Sequence, residues 1–335
     1  MTLLKLSNLS DLAAALQAQG YRVVAPIQDD AVVRLRSWRP GDTVRIAALP
    51  VNSPKDFLFP RCEAIGRYVL DRDGFTSEDL PARAEKTVLL GIRPCDVAAL
   101  AGLDSVFAWG YPDKFYGERR AATTIVSLVC PSADDDCFCT SVGGAPDSTV
   151  GADAMLRLCN GGTAMTFASM TEKGKALDAV FGQFSSPGEA AVDPVAEVPV
   201  LFNSEVVTDW CSKSFESTVW RTLGLACLGC GACAFMCPAC HCFDIQDEST
   251  DAQVDRLRNW DSCGFSQFTL HASGHNPRPD QPARWRQRMM HKFRYFKERF
   301  GRVACTGCGR CGRLCPTGMA ISDVCREIAR AEEVR

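Results

Sequence analysis

Apolar positions in the first half of the chain fall into short blocks separated by polar turns. A helical spacing of Leu and Ala over 11–19, with Ser10 as its cap, precedes three alternating stretches at 21–26, 31–37 and 43–49 that read as strands. Short apolar runs at 86–92 and 123–130 read as buried strands, the first followed by Arg93-Pro94-Cys95 and a helical stretch over 96–107. Each of these buried strands ends in a loop that carries cysteine. In open α/β sheets ligands bind beyond the carboxyl ends of the strands, so that placement is suggestive. The stretch 185–199 holds three prolines and few large apolar residues, which predicts a boundary. The pattern therefore predicts an α/β (α+β) domain over 1–205 and a second domain over 206–335. The second opens on a helical pattern at 209–223 and carries two cysteine runs, separated by an insertion at about 243–304.

Composition narrows the class. Of 335 residues, 46% are hydrophobic and 23% charged, which excludes a disordered or fibrous chain. The net charge of −3 argues against a dedicated nucleic-acid binder. No apolar run reaches the 18 or so residues of a membrane span, and the first residues lack the apolar core of a signal peptide. Nineteen cysteines stand against four histidines, and thirteen of the nineteen lie after residue 205. Without a secretion signal, that excess predicts metal or cluster ligation in a reducing, cytoplasmic setting, not a disulfide framework. No Gly-x-Gly-x-x-Gly or phosphate-loop motif opens a helix in the first half, so no flavin or nucleotide is expected on this chain.

The strongest chemical signal is Cys227-x2-Cys230-x2-Cys233-x3-Cys237-Pro238, repeated as Cys305-x2-Cys308-x2-Cys311-x3-Cys315-Pro316. Three cysteines at this spacing wrap one corner of an iron–sulfur cubane, and the fourth, before proline, ligates the other cluster; this is the general rule for bacterial ferredoxin runs. It gives one 4Fe-4S cluster to Cys227, Cys230, Cys233 and Cys315, and a second to Cys305, Cys308, Cys311 and Cys237. A zinc ribbon would show two Cys-x2-Cys hooks about 15–20 residues apart, whereas here three cysteines crowd each loop. The second domain is thus expected to be a helical, two-cluster, ferredoxin-like unit with a long insertion.

A second group, Cys95, Cys130, Cys137 and Cys139, sits on the strand-end loops, and the Cys137-Phe138-Cys139 pair projects two thiols to one side of an extended segment. Four thiols meet the count for a third 4Fe-4S cluster. The plain alternative makes Cys95 and Cys130 small buried hydrophobes. Cys240, Cys242 and Cys263 fit a further centre with His271 or His275, a redox pair, or packing. Cys62, Cys159, Cys211 and Cys325 read as structural. Residues 278–302 carry nine Lys or Arg against two acids, interleaved with aromatics at near-helical spacing. Such a segment is a solvated helix face, or a docking surface for an acidic partner whose arginines also offset the negative charge of the clusters.

The stretches 91–100, 137–146, 227–244, 260–279, 284–293 and 305–316 resemble the beta subunit of the soluble four-subunit nickel–iron hydrogenases (sulfhydrogenases), and the related A subunit of anaerobic sulfite reductases. The CPACHCFD and HASGHNPRP stretches are the most particular of these. The resemblance implies a non-catalytic electron-relay subunit. Its expected partners are a flavoprotein that binds FAD and handles NAD(P)H, and a nickel–iron small and large subunit pair. The alternatives are the equivalent role in a sulfite reductase-type complex, or an iron–sulfur enzyme acting on thiols or disulfides.

Overall fold

The computed structural model describes residues 2–72, 74–250 and 252–333. Among the described residues twelve strands run in chain order: β1 Thr2–Lys5, β2 Arg22–Asp29, β3 Val32–Ser37, β4 Cys62–Asp71, β5 Gly74–Glu78, β6 Thr87–Ile92, β7 Thr123–Leu128, β8 Ala154–Cys159, β9 Ala164–Ser169, β10 Ser185–Pro187, β11 Phe243–Thr250 and β12 Gln253–Trp260. Eight of them form one sheet in the order β10-β1-β9-β8-β7-β6-β2-β3, with β2, β6, β7 and β8 parallel and the edges antiparallel. Every residue of β6 and β7 is buried, as the continuous apolar runs require of strands covered on both faces. The helix Leu9–Ala18 packs Leu9, Leu12 and Leu16 on one face beside Val88, Leu90, Val126 and Leu156. On the other face the helix Pro94–Phe107 brings Val97, Leu100 and Leu103 against Leu89 and Ile125.

Three expectations are corrected. Ser10 lies inside its helix rather than capping it; Asn8 stands at the cap, and the Ser10 hydroxyl donates to the Asp42 carbonyl (3.4 Å). The stretch 43–49 is not a strand. It joins β2 in a single bridge, Ile27–Val44, because the carbonyls of Ile46, Ala47 and Ala48 turn inward to accept from the buried Arg93 guanidinium. The helical pattern at 209–223 is two helices, Ser204–Lys213 and Val219–Gly224.

The second half has its own core. Helices Ser204–Lys213, Gln281–Met290 and Ile321–Glu333 gather Val207, Trp210, Trp285, Met289, Phe293 and Ile328, and Phe138 from the first half is buried among them. The basic segment is helical, with a π-turn at His291–Tyr295 before a last turn at Phe296–Phe300. Strands β11 and β12 form a hairpin inside the long insertion, and β12 pairs with β4 to make a four-stranded antiparallel sheet, β11-β12-β4-β5. Arg258 on β12 is buried between Glu63 and Asp113, so a charge network locks that hairpin down. Among the described residues no helix is long and apolar enough to cross a membrane.

Candidate iron–sulfur centres

Three thiols of the first run and the last thiol of the second face one cavity. Cys227, Cys230, Cys233 and Cys315 line it together with Cys311 and Cys263. Gly229 and Gly231 hold left-handed backbone (φ +68° and +75°), which lets the loop coil tightly. Hydrogen bonds aim at the sulfurs: Gln281 Nε2 donates to Cys227 Sγ (3.1 Å) and the Met319 amide to Cys315 Sγ (3.3 Å).

Cys305 and Cys308 each lie near both Cys237 and Cys311. Burial pushes the Cys305 thiol up to about 11 and the Cys308 thiol to about 12, so ionising them in place needs compensating positive charge. Lys292 supplies some of it. Its ammonium is buried and donates to Cys237 Sγ (3.3 Å); burial works against its charge, but the Cys237 and Cys240 thiolates hold it above the ordinary lysine range.

Cys95, Cys130, Cys137 and Cys139 line another cavity with Cys308, Arg93, Arg310 and Arg313. Cys95 sits in the first turn of the helix after β6, and Cys130 lies two residues past β7. The 134–139 loop is fixed by contact with the second run: the Phe138 amide donates to Gly307 O (2.9 Å), and Arg313 pairs with Asp134 (2.5 Å) while donating to Cys137 Sγ (3.4 Å). Arg93 is 1% exposed, and its Nε and Nη1 have no hydrogen-bond partner although Nη2 donates to Ala47 O (2.6 Å). A buried guanidinium with two idle donors beside four thiols fits an anionic group held there.

The remaining cysteines divide. Cys159, Cys211 and Cys325 are fully buried in apolar surroundings, whereas Cys62 is exposed at the start of β4. Cys240 stands beside Cys237 and Cys263 beside Cys242, and Cys240, Cys242 and Cys263 line a cavity with His241, His291, Arg288 and Lys292. His271 and His275 are exposed and meet edge to face, so the histidines at this place are different ones. Sequence reasoning missed them because His291 approaches from the basic helix. Nor is that helix simply a solvated face: Arg288 and Lys292 point inward, Arg286 lies 3.9 Å over the Phe215 ring, and Arg294 pairs with Glu298 (2.8 Å). A four-residue offset from Arg288 to Lys292 was the available signal, since it puts both on one helix face.

Among the described residues, no three His, Cys, Asp or Glu side chains converge closely enough for a single metal ion. Ligands that each take a different iron of a cubane have no such need to converge. Residues 226–319 match the family model described as a 4Fe-4S dicluster domain. The chain is also 29% identical over 313 residues, 88% of either chain, to sulfhydrogenase 2 subunit beta of Pyrococcus furiosus. Over that span it is similar to the sulfhydrogenase beta subunit. No solved structure matches. The chain is accordingly a mixed α/β protein with a 4Fe-4S dicluster domain in its second half. The likeness supports an iron–sulfur electron-transfer subunit of a hydrogenase-type, multisubunit oxidoreductase.

Proposed function

We propose that the chain relays single electrons through three 4Fe-4S clusters, between a flavin on one neighbouring subunit and a nickel–iron catalytic pair on another. Cys227, Cys230, Cys233 and Cys315 would hold the first cluster, Cys305, Cys308, Cys311 and Cys237 the second, and Cys95, Cys130, Cys137 and Cys139 the third. One observation carries the reading. Cys311 of the second set lines the cavity of the first, and Cys308 lines the cavity of the third, so the three sets form one contiguous series. Bound clusters of this type supply one-electron oxidation and reduction, at potentials tuned by charge and by hydrogen bonds to sulfur. The chain's part is to hold and insulate them. Lys292, Arg93 and Arg310 bring positive charge into the interior, and Gln281 and Arg313 donate to ligand sulfurs. On this reading the subunit has no substrate site of its own, and the 1–205 and 206–335 halves divide the clusters one to two.

The test has two parts. In the anaerobically isolated chain, Cys95→Ala and Cys139→Ala should each remove the same amount of iron, about four atoms, because a cubane depends on its full ligand set. Wild-type iron in both variants would return those residues to packing. NAD(P)H should leave the isolated chain oxidised and should reduce it once a flavoprotein partner is added. Reduction by NAD(P)H with no partner present would overturn the relay.

A further inference from the structure

Three thiols outside the twelve assigned above share a buried place that the relay does not use. Cys240 and Cys242 follow the first run directly, while Cys263 lies just past the far end of the β11–β12 hairpin. Pairing of Phe243 with Trp260, and the Asp261 amide donating to Cys242 O (3.0 Å), close the base of that hairpin and bring Cys263 to Cys242. With His241, His291, Arg288 and Lys292 these thiols line one small cavity.

The charge around them is one-sided. Arg288 donates to Cys233 O (3.2 Å) and toward Cys240 Sγ (3.8 Å), and Lys292 donates to Cys237 Sγ (3.3 Å). A third buried cation, Lys55, donates to Ala234 O (3.1 Å) and Cys240 O (3.0 Å) from 3.8 Å above the Trp260 ring. Among the described residues no carboxylate lies within ion-pair distance of any of the three, all of which are buried. Arg288 and Lys292 also face ligands of the first two sets, and Cys240 is the unassigned thiol that all three cations approach.

We propose that Cys240, Cys242 and Cys263 hold a further iron–sulfur cluster, with His241 or His291, whose rings stand 5.2 Å apart, as the one ligand that is not a thiol. The site rests on the reading of the chain as an iron–sulfur protein and extends it. Beside Cys237 of the second set, it adds a store for electrons to one side of the linear series. Imidazole in place of one thiolate raises a cluster's potential where it is known, in two-iron centres, so this store would fill early.

The experiment is iron and acid-labile sulfide analysis, with electron paramagnetic resonance after reduction, on the anaerobically isolated full chain carrying Cys95→Ala. That background lacks the third cluster whatever the wild type holds there. It should retain about twelve irons if the further cluster is a cubane, and about eight if the site is empty of iron. Adding Cys263→Ala should lower the count to about eight, Cys242→Ala should do the same, and the two together should remove no more than either alone. A Cys95→Ala chain with about eight irons, unaltered by Cys263→Ala, overturns the proposal. A count well below eight would overturn the two-run assignment instead, so the two failures are distinguishable. If the Cys263 variant does not accumulate, the count in the Cys95→Ala chain decides the matter alone.

Discussion

Asp96→Ala is expected to cost about 3–5 kcal/mol of stability, the usual penalty for stranding one member of a buried ion pair. Asp96 is wholly buried in the first turn of the helix Pro94–Phe107, and Arg310, 3% exposed, reaches it from between two cysteines of the second run. The contact is bidentate, at 2.6 and 2.8 Å, and Arg310 Nε also donates to Pro50 O (3.2 Å). Removing the carboxylate leaves a guanidinium in the interior beside the thiols of the third set. The thermal midpoint of the cluster-loaded chain should fall by roughly 6–20 °C, at the 2–4 °C per kcal/mol typical of larger domains. The double variant Asp96→Leu with Arg310→Met should be less damaged than Asp96→Ala, because it buries no orphaned charge. A wild-type midpoint for Asp96→Ala would show that the pair does not hold these two segments together.

Gly307→Ala is the second change with a large expected effect. Gly307 has φ +66°, and a Cβ there would stand 2.4 Å from the Cys139 nitrogen and 2.5 Å from its Cα. Backbone cannot swing aside as a flexible side chain can, so the 305–309 and 137–139 loops must part. Left-handed backbone adds about 1–2 kcal/mol for alanine. The expected result is loss of about four irons, those of the set containing Cys137 and Cys139, with the spectrum of the first-run cluster retained. Gly274→Ala, in left-handed backbone with open space around it, is the control: it carries the same kind of strain without the collision. Equal iron in both variants would rule out loop apposition as the support of that set.

The sequence made some of this architecture legible and left other parts unreadable. The two runs and the strand-end thiols could be read because ligand spacing and the carboxyl ends of buried strands are local signals. That Cys95, Cys130, Cys137 and Cys139 reach one cavity follows from parallel neighbours β6 and β7, whose ends lie side by side. The 43–49 stretch alternates like a strand, but a buried arginine 45 residues on captures its carbonyls, and periodicity carries no trace of that. The inward turn of Arg288 and Lys292 was obscured by composition, since cations on a helix ordinarily face water. Cys263 was separated from its companions by the β11–β12 hairpin, whose strand β11 is exposed along its whole length and so gives little of the half-apolar alternation that marks a strand.

That hairpin also imposes an order on the chain's birth. Arg67 on β4 pairs with Asp255 on β12, 188 residues later. At a synthesis rate of roughly 5–20 residues per second, β4 and β5 leave the ribosome about 10–40 s before the strand that will cover the free side of β4 exists. During that interval the nascent chain presents an uncovered row of amides and carbonyls to its surroundings, a template for wrong pairing. The final strand that closes this edge is the one that delivers Cys263. Completion of the sheet and completion of the inner thiol group are therefore a single late event, and a ribosome stalled before residue 253 would release a polypeptide with an open sheet edge and an incomplete set of thiols.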